Sequence, residues 1–298
     1  MSHILIRKHI DDQISFAGRN WWYSFHILPS LFKKDSIKEY AERLSKTYSK
    51  QTKIWNDDLN SEWISRIFLA GKMVLSSSVM LQSLEYAENK NLRIVVTYLE
   101  YYSILMALRA MVFTSPLTEW RNGELIKLDH KRTINIAGDI LSKLDKKLAA
   151  ELRANILHLK AYRELISYRA PSSGDSFPKS KTSIDTRDIC QMLVELAQLQ
   201  SEVLESSVCK NAKGKFTFKR DFIKQVCHSE IEGNVFWDKE DAYRMHYLRR
   251  KYPLPTNICH MMSEGHVEDF FGSWCAKDET DNDVFDPDNN WRIIFDVP

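Results

Sequence analysis

Residues 92 to 113, LRIVVTYLEYYSILMALRAMVF, are apolar almost all the way round a helix, and the run stops at Thr114-Ser115-Pro116. A helix with so little polar surface has to be surrounded by other helices. The proline fixes its end, because it removes a backbone donor and pushes the residue before it out of the helical region. The pattern therefore predicts a bundle built around 92 to 113, with this helix its most buried. One charged residue interrupts its second half, ILMALRAMVF. Arg109 is a cation among aliphatic neighbours, and a buried charge requires a partner. Glu164, Tyr162 and Tyr168, on a later helix, are the expected partners.

The scarcity of chain-breaking residues, 9 Gly and 8 Pro in 298, extends the helical expectation to the rest of the chain. Ile64, Ile67, Phe68, Gly71, Val74 and Leu75 recur at helical spacing from Ser61 to about Glu88. Ala137, Ile140, Leu141 and Leu144 mark a short amphipathic helix, and a longer one runs from near Lys147 to Pro171. Ile189, Leu193, Leu196, Leu199 and Val203 mark another over about 185 to 208, beyond the loop PSSGDSFPKSKTS. The expected class is mainly α: a bundle of four to five core helices over 61 to 208. A leader at 1 to 60 holds a short strand, HILIR, and a helix, SIKEYAERLSKTYSKQTKIW. A small mixed region follows at 209 to 298, ending in a strand or docked segment from Trp291.

Charge narrows the function classes. Lys plus Arg (42) against Asp plus Glu (40) leaves a formal +2, so any nucleic-acid contact has to come from a local patch. Five cysteines, odd in number and without a CxxC pair, fit free thiols in a reducing compartment. The start MSHILIRKHIDDQ has no signal-peptide core, and the apolar stretches read as broken short of membrane-spanning length. A cytoplasmic protein with no membrane association is expected.

The stretch RANILHLKAYRELISYRAP, 153 to 171, concentrates arginine, histidine and tyrosine on one helix. Arg153 and His158 are a candidate catalytic pair: an imidazole titrating near neutrality moves protons, and a guanidinium stabilises charge on phosphate. Five residues of helix set them about 140° apart, so a shared pocket would need a kink or a second copy. Arg163 and Tyr168 are candidates for a ligand or interface surface. Arg19 and His26, with Asn20 after the arginine, repeat the pairing outside the bundle.

Tyr101-Tyr102-Ser103 followed six residues later by Arg109-Ala110, then His130 in the next loop and Arg163 near the end of a long helix, resembles the HEPN superfamily of helical nucleotide-binding and RNA-cutting domains. The resemblance covers about 61 to 208. It implies an RNA-directed protein of a prokaryotic defence or toxin system: a homodimer, partnered by RNA or an antitoxin, and, if active, a metal-independent endoribonuclease without cofactor. It also implies ligand or interface roles for Tyr102, Arg109, His130, Arg163 and Tyr168. Arg163 is followed five residues on by Tyr168 where cutting members have histidine. Tyrosine titrates near 10 and is no proton shuttle at neutral pH, so a silent module that dimerises or binds a protein or nucleotide is the second expectation.

Other constellations carry less. Cys227-His228, Cys259-His260, His266 and Cys275 lack the spacing of zinc ligands, and no metal is expected. KGKFTFKR and YRMHYLRRKY mix cations with aromatics, as single-strand binding surfaces do. The acidic run from Asp278 to Asp288 lacks the glycine and terminal glutamate of a calcium loop.

Overall fold

The computed structural model describes residues 14–16, 19–21, 23–172, 184–262, 267, 270 and 291–295. HILIR, the loop at 173–183, Cys275 and the acidic run lie outside them. The protein is mainly α, a helical bundle with a small mixed C-terminal appendage. In chain order come the antiparallel pair β1 (Ile14–Phe16) and β2 (Arg19–Trp21), then α1 (Ile27–Leu31), α2 (Lys34–Thr52), α3 (Asp57–Asn89) and α4 (Arg93–Thr114). After a 3-10 turn at Arg121–Lys127 follow α5 (His130–Leu141), α6 (Lys146–Arg169) and α7 (Thr186–Asn211). The appendage holds α8 (Asp221–Cys227), the hairpin β3 (His228–Ile231) and β4 (Asn234–Trp237), α9 (Lys239–Lys251) and α10 (Ile258–Met261).

Side-chain caps set the helix starts. Asn56 accepts from Leu59 N at 2.9 Å for α3, Asp129 from Arg132 N at 2.7 Å for α5, and Asp145 from Lys147 N and Leu148 N at 2.8 and 3.0 Å for α6. Helix α6 ends as the sequence predicts, with Ala170 left-handed at φ 38° immediately before Pro171. Between β3 and β4, Glu232 and Gly233 both have positive φ (52° and 77°), the geometry of a two-residue hairpin turn that matches the twist of its strands.

Helix α4 packs against α3, α5, α6 and α7, and α2 lies along α7. One hydrophobic core runs from Tyr23 through Phe295 and takes in residues on both sides of positions 60 and 208. Trp291–Ile293 form a 3-10 turn instead of a strand, and Ile294 and Phe295 are buried, so this segment is docked.

Two expectations need correction. The most buried helix is α7, not α4: from Met192 to Glu205 every residue is buried, while Leu92, Ile94 and Val95 at the start of α4 are exposed. Helices α3 and α4 also each contain an 18-residue window apolar enough to cross a membrane, so the apolar stretches are not broken short of that length. The same two helices supply the centre of the bundle, which demands apolar surface for its own reasons.

The polar residues of α7 are satisfied one by one. The Glu195 carboxylate accepts from the backbone N–H groups of His26 (2.8 Å), Ile27 (3.1 Å) and Leu28 (2.8 Å), capping α1 from across the fold. Gln200 accepts from Thr114 Oγ1 at 2.6 Å and donates to Tyr40 Oη at 2.7 Å. Gln198 donates to Glu202 and to Asn257, and Asn257 donates to Glu205, tying α10 to the bundle.

Candidate phosphate-binding cluster

The side chains of Arg153 and His158 do not meet. Arg153 reaches across to α5, donating to Asn135 Oδ1 at 2.8 Å over an open groove of about 500 Å3 that Gly138, Asp139 and Lys146 also line. His158 turns to Tyr162, ring edge against face with centroids 4.5 Å apart, and its Nε2 is buried without a hydrogen-bond partner among the described residues. The helical rotation between the two positions is enough to separate them. Tyr168 is 82% exposed at the end of α6 and does not join Arg163. Of the alternative pair, Arg19 lies in β2 and His26 stands exposed just before α1, its backbone N–H bonded to Glu195 of α7.

Arg109 is half-buried, but its partners are not the expected ones. It donates to the carbonyls of Ile126 (3.3 Å) and Leu128 (2.8 Å), pinning the turn before α5 onto α4. Glu164 pairs with Lys160 at 2.8 Å and lies 3.6 Å from Arg163, while Tyr162 packs on His158. Arg109 therefore remains a cation with no carboxylate partner among the described residues.

What converges instead is a group drawn from α4, α5 and α6. Tyr101 is fully buried, and its hydroxyl lies 2.9 Å from His130 Nδ1. The rings of Tyr101 and Tyr102 stand 5.3 Å apart, and His130 lies 5.7 and 6.0 Å from them. The Arg163 guanidinium sits 5.6 Å from the Tyr101 ring centroid and 5.9 Å from that of Tyr102, within range of both π faces. The Nε atoms of Arg109 and Arg163 are buried and make no hydrogen bond among the described residues. Tyr102, Arg109, His130 and Arg163 are thus neighbours in space.

Electrostatics favour a neutral imidazole and a protonated phenol. Burial, then Arg109, Arg163 and Lys160, push the His130 pKa below its ordinary value, so the ring is neutral at pH 7. Burial raises the Tyr101 hydroxyl to about 12, so it keeps its proton. Nδ1 is the one hydrogen-bond partner of that hydroxyl among the described residues, and donation to it is the arrangement that leaves the buried hydroxyl hydrogen satisfied. The imidazole proton is then on Nε2, which makes His130 a donor at its outer edge. His130, Lys160 and the two arginines all offer hydrogens, and Glu164 is the carboxylate beside them.

No known protein family, characterised protein or solved structure matches this chain. The cluster has to be judged by its own chemistry. Three cations and a neutral N–H donor, with one carboxylate among them, form an environment for a multiply charged oxyanion. Lys160 was missed at the sequence level, although it stands one helical turn before Arg163 on the same face.

Proposed function

We propose that the protein is a HEPN-like RNA-directed module that binds phosphate through Tyr101, Tyr102, Arg109, His130, Lys160 and Arg163, and that this site binds without cutting. The observation that carries the reading is the Tyr101–His130 hydrogen bond beside two arginines. With Nδ1 occupied as an acceptor, the neutral imidazole has no lone pair left to take a proton from a ribose hydroxyl, and cleavage requires such a base. A site dominated by N–H donors still holds a phosphodiester well, because charge-assisted N–H···O bonds are the stronger kind. Convergence of the residues that resemble the HEPN pattern supports the family reading. A defence or toxin setting, an antitoxin partner and a homodimer belong to this proposal through the resemblance, and a cytoplasmic location through the cysteine pattern.

Binding and cleavage of end-labelled single-stranded RNA, measured in parallel in EDTA, test it. The parent should bind RNA and leave it intact. Arg163→Ala should weaken binding about tenfold or more, through loss of a forked donor, whereas Arg153→Ala and His158→Ala should change nothing. RNA cutting that disappears in His130→Ala would replace the binding reading with a catalytic one. Equal RNA affinity in the parent and Arg163→Ala would remove the site altogether.

A further inference from the structure

Helix α9 has a buried face of Asp241, Ala242, Arg244, Met245 and Leu248. Its opposite face shows Tyr243, 64% exposed, and four residues on Tyr247, 39% exposed, followed by exposed Arg250 and Lys251. Spacing of i, i+4 and i+7 puts these groups in one row along the helix. Lys251 Nζ lies 5.9 Å from the Tyr247 ring centroid, and Arg250 Nε donates to the His246 carbonyl at 3.2 Å. Among the described residues neither Arg250 nor Lys251 has a carboxylate partner. Trp237, 46% exposed at the end of β4, is separated from the start of α9 by Asp238 alone.

Cations in the last turn of a helix complement its dipole, which accounts for Arg249, Arg250 and Lys251 but not for two exposed tyrosines in register with them. Exposed rings cost hydration unless something covers them. A row of aromatic faces flanked by cations without carboxylate partners matches a strand of unstacked bases on a phosphate backbone: the rings stack on bases and the cations neutralise phosphates. A duplex keeps its bases stacked on one another and offers those rings nothing. We propose that the Tyr243–Tyr247 face of α9, with Arg250 and Lys251, binds single-stranded RNA, the choice of RNA over DNA resting on the proposed function. This face stands on its own observations, separate from the Tyr101 cluster.

The test uses the full chain and a fluorescent 2′-O-methyl oligouridine about 20 nucleotides long, in which the ribose oxygen needed for cleavage is blocked. A photoreactive 4-thiouridine version maps the bound surface. The double variant Tyr243→Ala/Tyr247→Ala should bind about tenfold or more weakly, while Tyr243→Phe/Tyr247→Phe should bind as the parent does. In Arg250→Gln/Lys251→Gln the salt dependence should flatten by about 0.7 in log–log slope for each phosphate that is no longer neutralised. The crosslink should fall within residues 239–251, and it should persist in Arg163→Ala, which separates this surface from the cluster. Unchanged affinity in the double alanine variant, crosslinks confined to other segments, equal affinity for duplex RNA, or tighter binding of DNA of the same sequence would each overturn the assignment.

Discussion

Arg66→Ala is expected to cost about 3–5 kcal/mol of stability, the range for breaking a buried charge network by removing one partner. The guanidinium is 1% exposed and uses its whole fork. Nε donates to Phe113 O at 2.7 Å, Nη2 to Ser115 O and Thr118 Oγ1 at 2.5 Å each, and Nη1 to Thr118 O at 3.0 Å and Glu62 Oε1 at 2.9 Å. Its plane also sits 4.0 Å from the Trp63 ring. These bonds satisfy carbonyls that the end of α4 leaves without intrahelical partners, and they fasten α4 to α3. Arg66→Lys should recover little, because one ammonium cannot reproduce a planar five-donor fork. Denaturant unfolding at pH 7 measures this, with Arg109→Ala, the half-buried arginine, as the milder comparison. An Arg66→Ala midpoint equal to that of Arg109→Ala would contradict the account.

The second large effect is tied to pH. Glu202 lies buried on α7 with Gln198 as its hydrogen-bond donor, and burial, with Glu205 nearby, raises its pKa to about 8. The folded state therefore favours the protonated carboxyl. Its contribution to stability is fully present below the unfolded value near 4.5 and is lost as pH rises toward 8, because the unfolded chain gives up its proton first. At about 1.4 kcal/mol per pH unit, the loss between pH 5 and 8 is on the order of 3 kcal/mol or more. Glu202→Gln keeps the acceptor for Gln198 and has nothing to ionise, so its stability should lack this share of the decline and exceed the parent's at pH 8. Parallel pH dependence in both proteins would show that Glu202 is ionised in the folded state.

The helices were legible because their signals are local: apolar spacing, Asp and Asn caps, and Pro171. Burial was less so. Helix α7 carries Glu195, Gln198, Gln200, Glu202 and Glu205 between its apolar residues, and each of those polar side chains is satisfied inside the fold, most of them by a distant segment that spacing along one helix does not reveal. Arg109 drew attention as the cation in the most apolar run, whereas the deeply buried arginine is Arg66, whose carbonyl acceptors carry no residue signature. The pairing of Arg153 with His158 was a matter of sequence spacing, and helix geometry separates them. Tyr101, His130 and Arg163 were readable as residue types, but the hydrogen bond that fixes the imidazole tautomer arises only when α4 and α5 pack.

Glu195 also sets an order of events in the making of the molecule. The carboxylate that completes the start of α1 lies 167 residues further along the chain. During translation at about 5–20 residues per second, α1 waits on the order of ten to thirty seconds for its cap to be synthesised. Until α7 has left the ribosome, Tyr40 also lacks its Gln200 partner and the face of α2 that α7 covers stays open to solvent. The early helices are thus held in suspense by a late one, and a nascent chain stalled before residue 186 presents an unfinished apolar surface to whatever chaperones attend it.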